Sequence, residues 1–225
     1  MRTLDYLAAK TAHAIVETAK QHNAPKEIEN VITKALGVLQ AQGVYALYLY
    51  LYSQAEGDKP ATYLLLFLWN ELKDNEVGVP LPSQVKVVPL QDNGVLCEPR
   101  KMPGVRTFKD EERARQAREQ ANNCVQQIYA LWEANKDKFE KPFEGTEEVF
   151  RRFQYELKEE EEKPEWTVQP NNSNLLKKFS QLPSIREIIL ANIRDLTADL
   201  DTLLLVRDLY EQTLVYARYH AKALG

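Results

Sequence analysis

Apolar residues recur every three to four positions near both ends of the sequence, which is the spacing of an amphipathic helix. One such stretch runs from Thr3 to Gln21, with Thr3 or Asp5 placed to cap its start. Another covers about Thr197 to Leu224. Each puts a continuous apolar stripe on one side and leaves charged residues on the other. We therefore predict two helices that pack into a core by one face.

Three further helices are predicted before residue 74. Pro25 suits the first position of a helix from Lys26 to about Gln42, which Gly43 ends. Val44–Tyr52 alternates tyrosine with leucine over its second half, so that a strand and a buried helix both remain open. The neighbouring helical patterns favour a helix there. The leucine-rich stretch Ala61–Lys73 is also predicted to be a buried helix.

Prolines and glycines crowd the segment from Asp74 to Lys109 and exclude a helix over most of it. Within this segment, Val85–Leu90 and Val95–Glu98 flank the turn sequence Asp92-Asn93-Gly94. Two short apolar runs around such a turn are typical of a β-hairpin. The segment is therefore predicted to be an irregular insertion that contains a small hairpin.

Helical spacing returns at about Asp110 and predicts a helix that Pro142 and Gly145 end. A helix is predicted from Thr146 to Glu162, because apolar residues there again follow three-four spacing. Pro164–Pro183 contains the polar run Asn-Asn-Ser-Asn and is predicted to be a linker. Ser184 is placed to cap a helix that continues through Ile193.

Composition supports the helical interpretation. The chain has 225 residues, of which 44% are apolar and 28% are charged, enough for a packed core. It has only 8 glycines, whereas a sandwich or barrel needs many glycine turns. We predict an all-α helical bundle of about six to eight helices that forms a single domain over residues 1–225. In this bundle, residues 74–109 are the irregular insertion, and residues 110–194 supply additional helices and a linker.

Charge and cysteine content narrow the class of protein. The 29 basic and 33 acidic residues give a net charge of −4, so that any nucleic-acid contact must come from a local basic patch. No signal-peptide pattern opens the sequence, and Val44–Tyr52 is too short to span a bilayer. Cys97 and Cys124 have no histidine spaced to complete a zinc site and are not predicted to form a disulfide framework, and we interpret them as a loop thiol and a core residue. These features predict a soluble protein of the reducing cytoplasm.

Sequence motifs for phosphate binding, hydrolysis and redox chemistry are missing, so that no catalytic residue, metal ligand or cofactor is predicted. The histidines are His13, His22 and His220. His13 and His220 lie on the first and last predicted helices and would meet if those helices pair. This leaves open an enzyme with a histidine acid–base pair, beside the ordinary interpretation of two half-buried histidines.

One basic pattern suggests a binding surface. Four residues of the last helix fall within about 60° around its axis: Arg207, Glu211, Arg218 and Lys222. Their three cations form a ridge roughly 22 Å long, enough to touch several successive phosphates. Further lysines lie on the outer faces of the first two helices. The predicted RNA-binding residues are Arg207, Arg218, Lys222, Lys10, Lys20 and Lys34. The alternative is that these basic residues lie on solvent-exposed helix faces and bind no ligand.

Three stretches share patterns with a known family. The first is Thr3-Leu4-Asp5 with the alanines that follow it, and the last is Tyr210–Leu224. Between them, Ile32–Tyr52 combines an apolar helix, a polar turn that ends in Gly43 and a helix rich in small and aromatic residues. In these stretches the chain resembles the small subunit of the Cmr-type (type III-B) CRISPR RNA-targeting complex, the Cmr five family. The resemblance covers about residues 3–73 and 195–225, and the middle region is larger than in that family.

The resemblance implies a non-enzymatic helical subunit, copies of which stack along a ribonucleoprotein beside the guide RNA–target RNA duplex. Its implied partners are the backbone subunits, neighbouring small subunits, guide RNA and target RNA, with no membrane. The backbone subunits, and not this chain, would cleave the target. A helical protein–protein adaptor or regulator without an RNA role is the alternative, which the unmatched middle region and the acidic run Glu159–Glu162 favour.

Overall fold

The structure is a computed structural model that describes residues 3–21, 25–55, 59–73, 79–90, 97–139, 151–159 and 165–224. Within these ranges it contains seven α-helices and a small three-stranded sheet, which confirms the predicted helical bundle with an irregular insertion. The chain groups into two compact units, one of Met1–Leu96 with Ile189–Gly225 and the other of Cys97–Ile188.

The helices and strands of the described residues are numbered in chain order. They are α1 (Leu4–Gln21), α2 (Pro25–Ala55), α3 (Lys59–Glu71), β1 (Arg106–Phe108), α4 (Glu111–Asn135), β2 (Tyr155–Glu159), β3 (Trp166–Pro170), α5 (Ser173–Phe179), α6 (Ile185–Leu196) and α7 (Leu200–Leu224). Short 3-10 helices cover Pro99–Lys101 and Lys136–Lys138. A search of these described helices finds none with the length and apolarity that a bilayer crossing requires.

In the first unit, α1 packs against α7 and α3, and α2 packs against the same two helices. The apolar stripe predicted for the first helix is the face that α1 buries, through Leu7, Ala8, Thr11, Ala12, Ile15, Val16 and Ala19. Small residues on this stripe allow close approach of the helices. The core of the unit therefore lies where α1, α2, α3 and α7 meet.

Gly43 divides α2 into two helical halves. Its φ of 83° and ψ of −173° are not helical, so that the chain kinks there. This confirms the predicted end of the first half at Gln42. It also settles the ambiguous run Val44–Tyr52 as a helix, in which Leu47, Tyr48 and Leu51 are fully buried.

The second unit contains the sheet, whose strand order is β1-β3-β2 with both pairs antiparallel. α4 packs against all three strands. Asn122 of α4 accepts a hydrogen bond from the Tyr155 backbone N–H at 2.6 Å and donates one to the Tyr155 carbonyl at 3.2 Å. This pair of bonds fixes the first residue of β2 against α4.

The predicted hairpin is wrong for its first arm, because Val85–Leu90 pairs with no strand within the described residues. Its backbone is bound by side chains instead. Asn70 accepts a hydrogen bond from the Leu90 N–H at 2.8 Å and donates one to the Leu90 carbonyl at 2.7 Å. Asn192 accepts from the Lys86 N–H at 2.6 Å. The predicted turn Asp92-Asn93-Gly94 lies outside the described residues.

Two predictions for the region after residue 145 are also wrong. Tyr155–Glu159, predicted within a helix over Thr146–Glu162, is strand β2, which pairs with β3 in register from Tyr155↔Pro170 to Glu159↔Trp166. Pro164–Pro183, predicted to be a linker, contains β3 and α5. Residues 140–150 and 160–164 lie outside the described residues. The strand was missed because a spacing of four residues, as between Phe153 and Leu157, fits both the helical period and a two-residue alternation.

Cys97 and Cys124 form a disulfide, with their Cα atoms 5.3 Å apart. The interpretation of these residues as an independent loop thiol and core residue is therefore wrong. Cys97 is buried, and Cys124 lies half-buried on α4. Both belong to the second unit, in which the bond ties the segment before β1 to α4.

Candidate functional site

The basic ridge of α7, defined by Arg207, Arg218 and Lys222, lies beside the buried face of that helix. The buried face consists of Thr202, Val206, Leu209, Tyr210, Thr213, Leu214, Ala217 and Ala221. Arg207 and Arg218 are half-buried, and Lys222 is exposed. Arginine and lysine can bury their aliphatic stems while their charged ends stay in water. The ridge therefore lies at the edge of the buried face, and part of each of its side chains is accessible to solvent.

The ridge keeps a net positive charge within the described part of the chain, because its three cations share their face of α7 with one carboxylate, that of Glu211. Glu211 lies between them but accepts a hydrogen bond from the Gln40 side-chain amide at 2.7 Å. None of the three cations forms an ion pair with another described residue. The Nε atoms of Arg207 and Arg218 are buried and have no hydrogen-bond partner in this part of the chain. These Nε atoms lie out of reach of an external anion, so that any contact with such an anion must come from the terminal Nη atoms of the two guanidinium groups.

The ridge lies on the flank of α7 that faces α2, as the bond between Gln40 and Glu211 shows. Tyr216 and His220 contact α1 from the other flank, about 140° to 180° around the axis from Glu211. The structure therefore does not bring the predicted lysines of α1 beside the ridge. Lys10, Lys20 and Lys34 are all exposed, and their role in RNA binding stays a prediction.

A buried polar network fixes α7 against α2 and α3 and so sets the position of the ridge. The Tyr210 hydroxyl donates to the Leu68 carbonyl at 2.8 Å and lies 2.8 Å from the Tyr48 hydroxyl. Burial raises the pKa of both tyrosines far above the ordinary value. Thr213 donates to the buried Glu71 carboxylate at 2.8 Å. These bonds are made to groups with no access to water, so that they specify how α7 is rotated.

His13 and His220 meet, as the sequence predicts for paired first and last helices. Their rings stack with centroids 5.1 Å apart and planes inclined by 15°. Among the described residues neither imidazole has a hydrogen-bond partner. His13 is exposed rather than half-buried, and His220 is half-buried.

Glu17 completes a cluster with the two histidines that sequence reasoning missed. One ligand atom from each of the three residues can be chosen so that all lie within 4.8 Å of one another. The sequence held part of the signal, because His13 and Glu17 are four residues apart and share a helix face. His220 lies on a different helix, so that only the packing of α1 on α7 could complete the set.

Asp5 and Tyr216 form a second contact between α1 and α7, in which the Tyr216 hydroxyl donates to the Asp5 carboxylate. This hydrogen bond, together with partial burial and the negative charge of Asp5, raises the pKa of Tyr216. Two contacts therefore hold the outer edge of this helix pair.

Comparisons with protein-family models, with curated proteins and with solved structures find no match to this chain.

Proposed function

We propose that this chain is a non-catalytic structural subunit of a type III-B CRISPR ribonucleoprotein, in which it contacts the RNA backbone. The observation that carries the proposal is the ridge of α7, whose cations have no internal ion pair among the described residues. The sequence resemblance over residues 3–73 and 195–225 indicates which type of complex the subunit would belong to. Both of these ranges belong to the first unit.

In this proposal the ridge binds phosphates and does not read bases. Arg207, Arg218 and Lys222 neutralise successive phosphates of the guide or target strand, which positions the subunit independently of sequence. A guanidinium can hold one phosphate through two parallel hydrogen bonds, which favours arginine at such contacts. Neighbouring small subunits and the backbone subunits are the protein partners. The cytoplasmic location was predicted from unpaired cysteines, and the Cys97–Cys124 disulfide removes that support.

A helical protein–protein adaptor is the second candidate, favoured by exposed leucines at the start of α7. Leu200 and Leu204 are 65% and 46% exposed and precede Arg207 on the same flank of the helix. Exposed apolar residues that lie together can mark a protein contact. In an adaptor the ridge would face acidic groups of a partner protein instead of RNA.

Purification of the tagged full chain from its host distinguishes the two candidates. We expect RNA and the backbone subunits to co-purify. We also expect the charge-reversed variant Arg207→Glu/Arg218→Glu/Lys222→Glu to recover less RNA. The matched control is Lys158→Glu/Lys177→Glu/Lys178→Glu, which reverses three exposed cations of the second unit. Partner proteins recovered without RNA would favour the adaptor. Equal RNA recovery by the two variants would contradict the ridge assignment.

A further inference from the structure

We propose that His13, Glu17 and His220 bind one divalent zinc ion, which links α1 to α7. The three side chains come from two helices that pack along their buried faces. A ligand atom from each residue lies within 4.8 Å of the other two. Donors around a single zinc ion are closer to one another than this, and small rotations of the exposed His13 and of the two half-buried side chains supply the difference.

Helix geometry sets up the site. His13 and Glu17 are one turn apart on α1, so that both can reach the same ion from one side. His220 reaches it from α7. The backbone positions do not depend on the ion, because apolar packing of α1 on α7 already fixes them. A metal site that the fold holds in place loses little entropy when the ion binds.

The donor set favours zinc over magnesium and calcium. Two imidazole nitrogens and one carboxylate oxygen are ligands that suit zinc, whereas magnesium and calcium prefer oxygen donors alone. Three protein ligands leave a fourth position of the tetrahedron for water or another ligand. Because His13 is exposed, that position faces solvent.

The three proposed ligands make only weak interactions that would compete with zinc. The imidazoles have no hydrogen-bond partner among the described residues, so that their nitrogens are available. Glu17 is in contact with Lys20, but at 3.9 Å between side chains that are 35% and 57% exposed. Such a long, solvated ion pair is readily exchanged for a metal–oxygen bond. Zinc binding at this cluster does not depend on whether the chain contacts RNA.

Calorimetric titration of the chelator-stripped full chain with zinc chloride tests the site. We expect one zinc ion per chain. His220→Ala and Glu17→Gln each remove a direct ligand and should weaken zinc binding by more than about 100-fold. Loss of a residue that only hydrogen-bonds to a metal ligand already lowers metal affinity by roughly 10- to 100-fold. Lys20→Gln, which removes the ion pair and keeps the three ligands, should bind zinc at least as tightly as the wild type.

Thermal unfolding supplies a second readout. Zinc should raise the melting temperature of the wild type and of Lys20→Gln, and should leave that of His220→Ala unchanged, because binding to the folded state stabilises it. His220 is half-buried, and circular dichroism checks that its variant folds. Failure of the wild type to bind zinc, equal binding by His220→Ala, or binding only when two chains associate would each overturn the proposal.

Discussion

The hydroxyl of Tyr210 holds three helices of the first unit together. It donates its proton to the Leu68 carbonyl of α3 at 2.8 Å, so that the Tyr48 hydroxyl of α2, also 2.8 Å away, must be the donor in the bond between the two tyrosines. Both side chains are completely buried. Tyr210 therefore serves as a donor and an acceptor, whereas Tyr48 serves only as a donor.

We expect the two tyrosine-to-phenylalanine variants to differ in stability. Tyr48→Phe removes one donor and should lower the free energy of unfolding by about 1 kcal/mol. Tyr210→Phe removes two hydrogen bonds and leaves the buried Tyr48 hydroxyl without its acceptor, which should cost about 2–3 kcal/mol. Urea unfolding of both variants measures the difference. Equal losses, or a larger loss for Tyr48→Phe, would contradict this division of roles.

Single-residue features were predictable from sequence where their partners are local. Ser184 caps α6 as predicted, because its hydroxyl accepts from the Glu187 N–H at 3.1 Å while the Glu187 carboxylate accepts from the Ser184 N–H at 2.7 Å. Such a capping box spans only four residues. The bond between Tyr48 and Tyr210 joins residues 162 positions apart, so that no short-range sequence pattern could predict it.

At the scale of the element, the kink in α2 depends on one glycine. Gly43 has φ 83° and ψ −173°, a conformation that residues with a side chain rarely adopt. The kink redirects the second half of α2, which carries the buried Tyr48 toward α7. Gly37 of the same helix lacks the positive φ and has open space around its Cα. A methyl group added at Gly43 would also meet no neighbouring atom. The two glycines therefore differ only in backbone conformation.

We expect opposite effects when each glycine is replaced by alanine. Gly43→Ala should lower the free energy of unfolding by about 1–3 kcal/mol, because the positive φ becomes strained. Gly37→Ala should raise it by about 0.5–1 kcal/mol, because alanine favours the helix and meets no neighbour. Chemical unfolding of both variants tests this. Stabilisation by Gly43→Ala would show that α2 does not need the kink.

Helices were predicted better than strands for a physical reason. The apolar stripe of α1 repeats over 18 residues, and so its period is unambiguous. β2 and β3 have 5 residues each, and a run that short fits more than one period. The alternation of Tyr155 and Leu157 with charged residues was the available sign of β2. The segment 85–90 has strand-like residues but takes its hydrogen bonds from the side chains of Asn70 and Asn192.

At the scale of the whole molecule, the family-like ranges 3–73 and 195–225 belong to the first unit, and the sheet and the disulfide belong to the second. The second unit comes from the middle region to which no family pattern was assigned. Sequence reasoning located the ridge because all its residues lie on one helix. It could not assemble His13, Glu17 and His220, because the third residue joins only when α1 packs on α7.

Phosphate binding by the ridge is the property on which the proposed function depends most, and the salt dependence of RNA binding measures it directly. Labelled single-stranded RNA is titrated with the full chain at several salt concentrations. Each neutralised phosphate contributes about 0.7 to the slope of log affinity against log salt, so that Arg207→Gln/Arg218→Gln/Lys222→Gln should flatten the slope by about 2 and weaken binding. Lys158→Gln/Lys177→Gln/Lys178→Gln, which loses the same charge elsewhere, should keep the wild-type slope. Identical slopes for the wild type and the ridge variant would contradict the account.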